Sequence, residues 1–341
     1  MIKAIDFFCG AGGLTRGLLN AGIAVLAGVD NDERLRETYA YNNEPSRFIG
    51  SDINVIQIHE LREELGIQPG DSILYAACTP CQPFSTLNKL QGKDKRKILL
   101  LVFAQIVEKC PPDFILVENV PGLNNAYGKE IYKGFLKVLR RCGFSEAADL
   151  LDAKHFGVPQ TRKRFILVAS RHGSISLPIP ETNANRIATV RQCIEKYPVI
   201  ADGEVPKGYP NHAARKLQPN HKRIVAAIPK NGGSRRDVAD TSILLKCHQR
   251  KPNVHKDVFG RMAWDEPSPT LTCRCTDVYC GRFIHPMQDR GISLREAAAL
   301  QTFGDDYEFF GPSFLFLSSQ IGNAVPVKLA EQLGKSIMDS C

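Results

Sequence analysis

The first half of the chain alternates two hydrophobic patterns, one typical of buried strands and one of helices. Near-continuous apolar runs predict strands at residues 2–8, 23–30, 48–53, 72–78 and 113–120. Apolar residues at helical spacing predict helices at residues 14–22, 31–43 and 97–110, and Gly22 is suited to end the first of them. Strands that alternate with helices in this way predict an α/β fold with a doubly wound, mostly parallel sheet.

The periodicity weakens after about residue 170. Stretches such as "IPKNGGSRRD" combine Pro, Gly and charge, so we expect a smaller, irregular second domain with short strands. Helical spacing returns at 293–303 and 324–337. The predicted domains are therefore a first domain over 1–170, an irregular domain over 171–300, and a segment over 301–341 that returns to the first domain.

Positive charge is concentrated in the irregular region. The chain of 341 residues has a formal net charge of +8, and residues 171–285 hold 19 Lys and Arg against 10 Asp and Glu. The rest of the chain carries 25 basic and 26 acidic residues, so the whole excess lies in this segment. Such an excess favours a phosphate-rich partner, which means nucleic acid. A solvated basic face is the alternative.

The start of the chain and its cysteines suggest a cellular location. The first residues contain no basic and apolar leader, and no apolar run reaches the roughly 18–20 residues that span a bilayer. The 11 cysteines are scattered, without the framework of a small disulfide-rich protein. We therefore expect a cytoplasmic protein with mostly reduced cysteines.

A glycine loop follows the first predicted strand. In "CGAGG", Gly10 and Gly12 allow the backbone to turn tightly and to approach a ligand. Asp30, at the end of the second strand, could accept hydrogen bonds from a ribose, and Asp52 could accept from an adenine amino group. The spacing is not that of the dinucleotide motif, and no phosphate-binding P-loop is present. The loop alone leaves NAD and S-adenosylmethionine open.

The stretch "CTPCQPFS" places Cys78 and Cys81 at the end of a strand. A redox pair would be expected to open a helix near the start of the chain, and a zinc site would need a second pair of ligands with better spacing than Cys273, Cys275 and Cys280 offer. We interpret Cys78 as an ordinary buried cysteine. For Cys81 a nucleophile is favoured by its context.

That context is a set of chemically active side chains predicted at the same edge of the sheet. Glu118 ends the next strand, and Arg162 and Arg164 follow in "QTRKR". A thiol, a carboxyl group and guanidinium groups in one crevice form a set suited to covalent catalysis.

Six motifs in order identify a family resemblance. "DFFCGAGG", "TPCQPFS", "ENV", "QTRKR", "LREAAALQTF" and "QIGNAVP" resemble those of the cytosine-C5 DNA methyltransferases, over residues 4–335. The resemblance implies a Rossmann-like, S-adenosylmethionine-dependent enzyme, with target recognition in the basic region. It also implies that the Cys81 thiolate adds to cytosine C6, and that carbon 5 is then methylated.

The resemblance assigns roles to the other site residues. Glu118 would bind the N3 edge of the base, Arg164 its O2, while Arg162 and Asn119 would support the catalytic loop. Gly10, Gly12, Asp30 and Asp52 would bind the cofactor. Asn31 stands where many relatives have a bulky apolar residue, so adenine stacking would be weaker or supplied by Ile53. The further predicted cofactor contacts are Phe8, Pro80 and Asn323.

The implied substrate is duplex DNA from which the target base is flipped out. Gln82 and Ser85 are candidates to fill the gap, and Arg235 and Arg236 to contact phosphate or guanine. We expect a monomer without a metal site, with a cognate restriction endonuclease as a possible partner. The alternatives are a tRNA cytosine-C5 methyltransferase, whose relatives carry a Cys-Phe-Thr stretch absent here, and a non-enzymatic DNA-binding module.

Overall fold

The computed structural model describes residues 1–80, 98–124, 128–181, 183 and 187–340. The chain forms two compact units. The first contains Met1–Phe156, Lys163–Pro180 and Val325–Cys341, and the second contains Gly157–Arg162 and Glu181–Ala324. The chain thus returns to the first unit at Val325, whereas the sequence predicts this return at residue 301.

A seven-stranded sheet forms the centre of the first unit, in the order β3-β2-β1-β4-β5-β7-β6. Neighbouring strands from β3 to β5 run parallel, and β7 runs antiparallel to both of its neighbours. The predicted α/β fold with a mostly parallel sheet is therefore confirmed. The strands are β1 (Ile2–Phe7), β2 (Ala24–Asp30), β3 (Arg47–Gly50), β4 (Ser72–Cys78), β5 (Phe114–Asn119), β6 (Ser145–Asp152) and β7 (Lys163–Ser170).

The strand order changes direction at one place along the sheet, between β1 and β4. From β1 the chain builds β2 and β3 on one side, and then crosses to build β4 and β5 on the other. In open α/β sheets, ligands bind outside the carboxyl ends of the strands at such a switch point. The glycine loop after β1 and the "CTPCQPFS" stretch after β4 both begin at this edge.

Helices pack on the sheet and join the two ends of the chain. The helices of the first unit are α1 (Gly13–Asn20), α2 (Arg36–Asn42), α3 (Ile58–Glu64), α4 (Leu99–Lys109), α5 (Lys129–Arg141) and α11 (Val327–Met338). A Cβ atom at Gly17 of α1 would lie 2.3 Å from the Cβ of Ala330, so α11 can pack this closely on α1 only because residue 17 is glycine. None of the described helices has the length and apolar character that a membrane crossing requires.

The main hydrophobic cluster lies on the side of the sheet covered by α3, α4 and α5. It joins fully buried strand residues such as Phe7 and Tyr75 to Phe103 of α4 and Phe135 of α5. Phe7 contacts Tyr75 edge-on at 5.5 Å between ring centroids. This packing fixes β1, β4 and β5, the strands whose carboxyl ends lead into the predicted site residues.

The second unit is built differently. Its helices are α6 (Val190–Ile194), α7 (Pro219–Ala227), α8 (Lys246–Arg250), α9 (Leu294–Leu300) and α10 (Phe314–Asn323). Among its described residues there is no strand, only isolated bridges such as Ser234 to Gly260 and Arg261 to Ile284. The prediction of short strands is therefore wrong for the described part of this unit.

In this unit buried arginines bind many of the backbone carbonyl groups that strand pairing would otherwise satisfy. The side chains of Arg162, Arg235, Arg261, Arg290 and Arg295 are among the largest fully buried ones in the protein. Arg261 donates to the carbonyl groups of Val225, Ile228, His285 and Gln288. Arg295 donates to those of Pro210, Gly304 and Tyr307. Because buried carbonyl groups need partners, guanidinium groups with five N–H donors can hold irregular chain segments together.

Candidate active site

The glycine loop between β1 and α1 is held against the end of β2. Gly10 (φ 55°) and Gly12 (φ 87°) both adopt left-handed conformations. The Gly12 N–H donates to the Cys9 carbonyl oxygen at 2.9 Å, and the Gly10 N–H donates to Asp30 Oδ2 at 3.0 Å. A Cβ atom at Gly10 would meet nothing within 4 Å. The loop therefore leaves open space beside residue 10.

Asp30 and Asp52 follow the neighbouring strands β2 and β3. Asp30 accepts from the backbone N–H groups of Gly10 and Asp32, each at 3.0 Å. Burial raises the pKa of Asp30, against the lowering effect of these two N–H donors. Asp52 is exposed and caps the 3-10 turn Ile53–Val55 through Asn54. Each carboxylate can still accept further hydrogen bonds, because its two oxygens offer about four lone-pair sites.

The remaining predicted cofactor contacts occupy different environments. Phe8 is half-buried and has φ 61°, an unusual value for a residue other than glycine that was not predicted from the sequence. Asn31 is exposed, whereas Ile53 belongs to the main hydrophobic cluster. Pro80 is half-buried, and Asn323 is exposed at the end of α10 in the second unit.

One buried carboxyl group, on the strand that precedes the glycine loop, was not predicted from the sequence. Asp6 on β1 is fully buried and accepts a hydrogen bond from Thr15 Oγ1 at 2.7 Å, and Thr15 in turn contacts the Tyr39 hydroxyl at 2.9 Å. Burial, partly offset by the Thr15 bond, raises the pKa of Asp6 to about 7. The only signal in the sequence is one acidic residue inside a predicted buried strand.

Glu118 lies between two donors at the carboxyl ends of the strands. Its side chain is 5% exposed, and Oε1 forms an ion pair with Arg164 Nε at 2.8 Å. The Sγ–H of Cys78 donates to Oε2 at 2.9 Å. The structure thus brings Glu118 and Arg164 together as the sequence predicts. It also adds Cys78, which is half-buried and touches the carboxylate rather than being an ordinary buried cysteine.

Asn119 braces the end of β4. It is fully buried, and its Nδ2 donates to Thr79 Oγ1 at 2.7 Å and to the Thr79 carbonyl oxygen at 3.2 Å. Its Oδ1 accepts from the Val120 N–H at 2.9 Å. These bonds fix residue 79, two positions before Cys81, and the role of Asn119 toward the catalytic loop stays a prediction.

Arg162 has a different environment from Arg164. It belongs to the second unit and is 1% exposed. Its guanidinium donates to the carbonyl groups of Leu271 at 2.7 Å, Gly322 at 3.1 Å and Ala324 at 3.0 Å. These contacts give Arg162 a role in holding chain segments of its own unit.

Arg235 and Arg236 are adjacent in sequence but differ in burial. Arg235 is 1% exposed and donates to the carbonyl groups of Pro252, Val254, His255 and Val258. Its guanidinium is therefore engaged within the protein, contrary to the predicted DNA contact. Arg236 is exposed and stays a predicted DNA contact.

Three predicted residues, Cys81, Gln82 and Ser85, lie outside the described residues. In the described part of the chain, no group of three or more His, Cys, Asp or Glu side chains is arranged to hold a metal ion.

Comparison with known proteins shows which family the chain resembles. The sequence model of the C-5 cytosine-specific DNA methylases matches residues 2–339. The Type II methylase M.HgiDII of Herpetosiphon aurantiacus is 37% identical over 98% of this chain and 94% of its own length. The Type II methyltransferase M.Eco47II of Escherichia coli is 30% identical over 98% and 78%. A solved prophage-encoded DNA modification methyltransferase of E. coli superposes with a TM-score of 0.73 at 22% identity, covering 99% of each chain.

Proposed function

This chain belongs to the C-5 cytosine-specific DNA methylases and methylates carbon 5 of cytosine in DNA, and we propose that it does so by covalent catalysis at Cys81 within a short duplex sequence. The observation that carries the assignment of the site is the buried carboxylate of Glu118. It is held by Arg164 and Cys78 at the sheet edge where residue 81 follows β4.

The covalent step overcomes the low reactivity of carbon 5 of cytosine. Carbon 5 of cytosine is a poor nucleophile, and addition of the Cys81 thiolate to C6 makes C5 electron-rich. After methylation, loss of the C5 proton and elimination of the thiolate restore the aromatic ring and free Cys81. An unperturbed thiol is only a few per cent ionised near neutral pH, so a nearby guanidinium would assist by stabilising the thiolate.

Glu118 would bind the N3 and amino edge of the flipped base. A proton supplied to N3 as the thiolate attacks C6 prevents negative charge from building up on the ring. Arg164 orients the carboxyl group through Oε1 and, in this proposal, also reaches the O2 of the base. The contacts of Arg162 with backbone carbonyl groups favour a supporting role for that residue.

The loop after β1 fits S-adenosylmethionine. This cofactor supplies a methyl group on a positively charged sulfur, which an electron-rich carbon can accept. The open space beside Gly10 suits the close approach of a ligand, and the carboxylates of Asp30 and Asp52 suit the donors of a ribose and an adenine. In the same proposal Phe8, Gly12, Asn31, Ile53, Pro80 and Asn323 line or close this site.

The substrate must leave the double helix to be methylated. Flipping a base costs a few kcal/mol, which phosphate contacts of the basic second unit would offset. Arg236 would contribute to these contacts, and Gln82 and Ser85 would hold the gap. A cognate endonuclease, suggested by the Type II names of the relatives, a monomeric state and a cytoplasmic location beside the DNA belong to the same proposal.

The test is methyl transfer from labelled S-adenosylmethionine to unmethylated plasmid DNA and, in parallel, to tRNA. We expect label in the DNA only, and bisulfite sequencing of the product should show one modified cytosine within a short sequence. The variant Cys81→Ser should abolish transfer while DNA binding persists, and Cys142→Ser serves as the control for loss of a thiol. Label in tRNA alone would favour the RNA enzyme, and full activity of Cys81→Ser would exclude the covalent role.

A further inference from the structure

Cys78 and Glu118 are brought together by the register of the sheet. Cys78 is the last residue of β4, and its partner in the parallel pairing with β5 is Glu118. Residues paired in this way on neighbouring strands present their side chains on the same face. The contact between the thiol and the carboxylate therefore follows from the pairing of two buried strands.

The two oxygens of Glu118 have donors of different kinds. Oε1 accepts from Arg164 Nε at 2.8 Å, and Oε2 accepts from Cys78 Sγ at 2.9 Å. A guanidinium only donates and stays charged, so a proton on Oε1 would occupy one of its lone pairs and weaken its ion pair with Arg164. A thiol can donate, and it can also accept weakly. Oε2 is therefore the oxygen on which a proton can reside without breaking a contact.

We propose that Cys78 is a positioning residue that directs the proton of Glu118 to Oε2. When Glu118 is ionised, the thiol donates to Oε2. When Glu118 is protonated, the O–H donates to Sγ or to the base, and Arg164 holds Oε1 in both states. This inference rests on the proposed role of Glu118 toward N3 of cytosine and adds the choice of oxygen.

The groups that face the carboxyl group are identified on both neighbouring strands. Among the described residues, Cys78 of β4 and Arg164 of β7 contact it. Arg164 also donates through Nη1 to the Lys163 carbonyl oxygen at 2.8 Å, which fixes its side chain. A change at residue 78 should therefore affect Oε2 while the ion pair at Oε1 persists.

The experiment compares Cys78→Ala with Cys78→Ser in the full chain. The readout is transfer of labelled methyl groups to unmethylated plasmid DNA, measured as kcat and KM. A hydroxyl group both donates and accepts, so Cys78→Ser should stay within about threefold of the wild-type kcat, while Cys78→Ala should lose about tenfold with KM unchanged.

Controls separate this role from packing and from the proposed function. Cys142→Ala removes another half-buried thiol of the first unit and should behave as wild type. Both Cys78 variants should remain folded at the assay temperature in thermal unfolding and should bind the cofactor as the wild type does. Equal loss in Cys78→Ala and Cys78→Ser, or wild-type kinetics of Cys78→Ala while Glu118→Gln is inactive, would overturn this inference alone. Wild-type activity of Glu118→Gln would overturn it together with the proposed role of Glu118.

Discussion

Replacement of Arg235 by Met tests the internal role of a buried arginine in the second unit. The guanidinium donates four hydrogen bonds to carbonyl groups between Pro252 and Val258, at 2.6–3.3 Å. Burial lowers the pKa of Arg235, and the charge of Arg236 lowers it further. The hydrogen bonds of the guanidinium are therefore opposed by the cost of removing its charge from water.

The size of the effect follows from these opposing contributions. Each lost bond costs about 1 kcal/mol, which gives about 4 kcal/mol in total, and the removal of a buried charge returns part of this. Because the 252–257 segment is exposed, water can also replace some partners. We expect Arg235→Met to lower the free energy of unfolding of the second unit by about 2–3 kcal/mol.

The assay is urea-induced unfolding combined with hydrogen exchange of residues 246–259. Arg236→Met is the matched control, because the neighbouring side chain is exposed. It should change stability by less than about 0.5 kcal/mol, and should weaken DNA binding while reducing its salt-dependence slope by about 1. Wild-type stability and exchange in Arg235→Met, together with weaker DNA binding, would refute the internal role and restore the predicted DNA contact.

Three further predictions concern the first unit and the arginine pair of "QTRKR". Because folded Asp6 holds its proton up to pH about 7 whereas an unfolded aspartate releases it near about 3.9, stability should fall across this interval by up to about 4 kcal/mol. Urea unfolding at several pH values should show a shallower fall in Asp6→Asn, and equal slopes would contradict the assignment. Gly10 has a left-handed conformation and faces open space, so Gly10→Ala should lower the free energy of unfolding by only about 1 kcal/mol. The same variant should weaken cofactor binding more than tenfold, as measured by calorimetry. Unchanged affinity would show that the loop is not part of the cofactor site. Arg164→Lys alters the ion pair at Glu118 Oε1, so it should lower kcat about tenfold or more at near-normal stability. Arg162→Lys should mainly lower the midpoint of unfolding, because Arg162 binds backbone carbonyl groups. The reverse pattern would show that the two arginines have the opposite roles.

The central strands β1, β4 and β5 were predictable because they are buried on both faces, whereas β6 and β7 were not predicted from the sequence. The run at 72–78 coincides with β4, and Glu118 was placed at the end of the next strand. Such strands read as apolar runs regardless of which strands they pair with. The contact of Cys78 with Glu118 depends on register, which these runs do not encode, and so it was not predicted.

The second unit was less predictable for a different physical reason. The sequence shows how many arginines it contains, but not whether each one faces water or backbone carbonyl groups. Arg235 and Arg236 look equivalent in sequence, yet only the first is buried. Likewise the positive φ of Phe8 is set by the surrounding turn, because the residue type itself disfavours it.

The guanidinium-centred contacts of the second unit make its loops tolerant of sequence change. Strands joined in a ladder must keep their alignment, so one inserted residue displaces every later pair. A segment held by Arg235 or Arg261 needs only a few backbone carbonyl groups within hydrogen-bonding distance of the guanidinium group. Exposed loops between such anchors can lengthen, shorten or exchange residues without misaligning a neighbour. On the proposal that this unit contacts DNA, new sequence preferences can therefore evolve on it while the sheet of the first unit stays as it is.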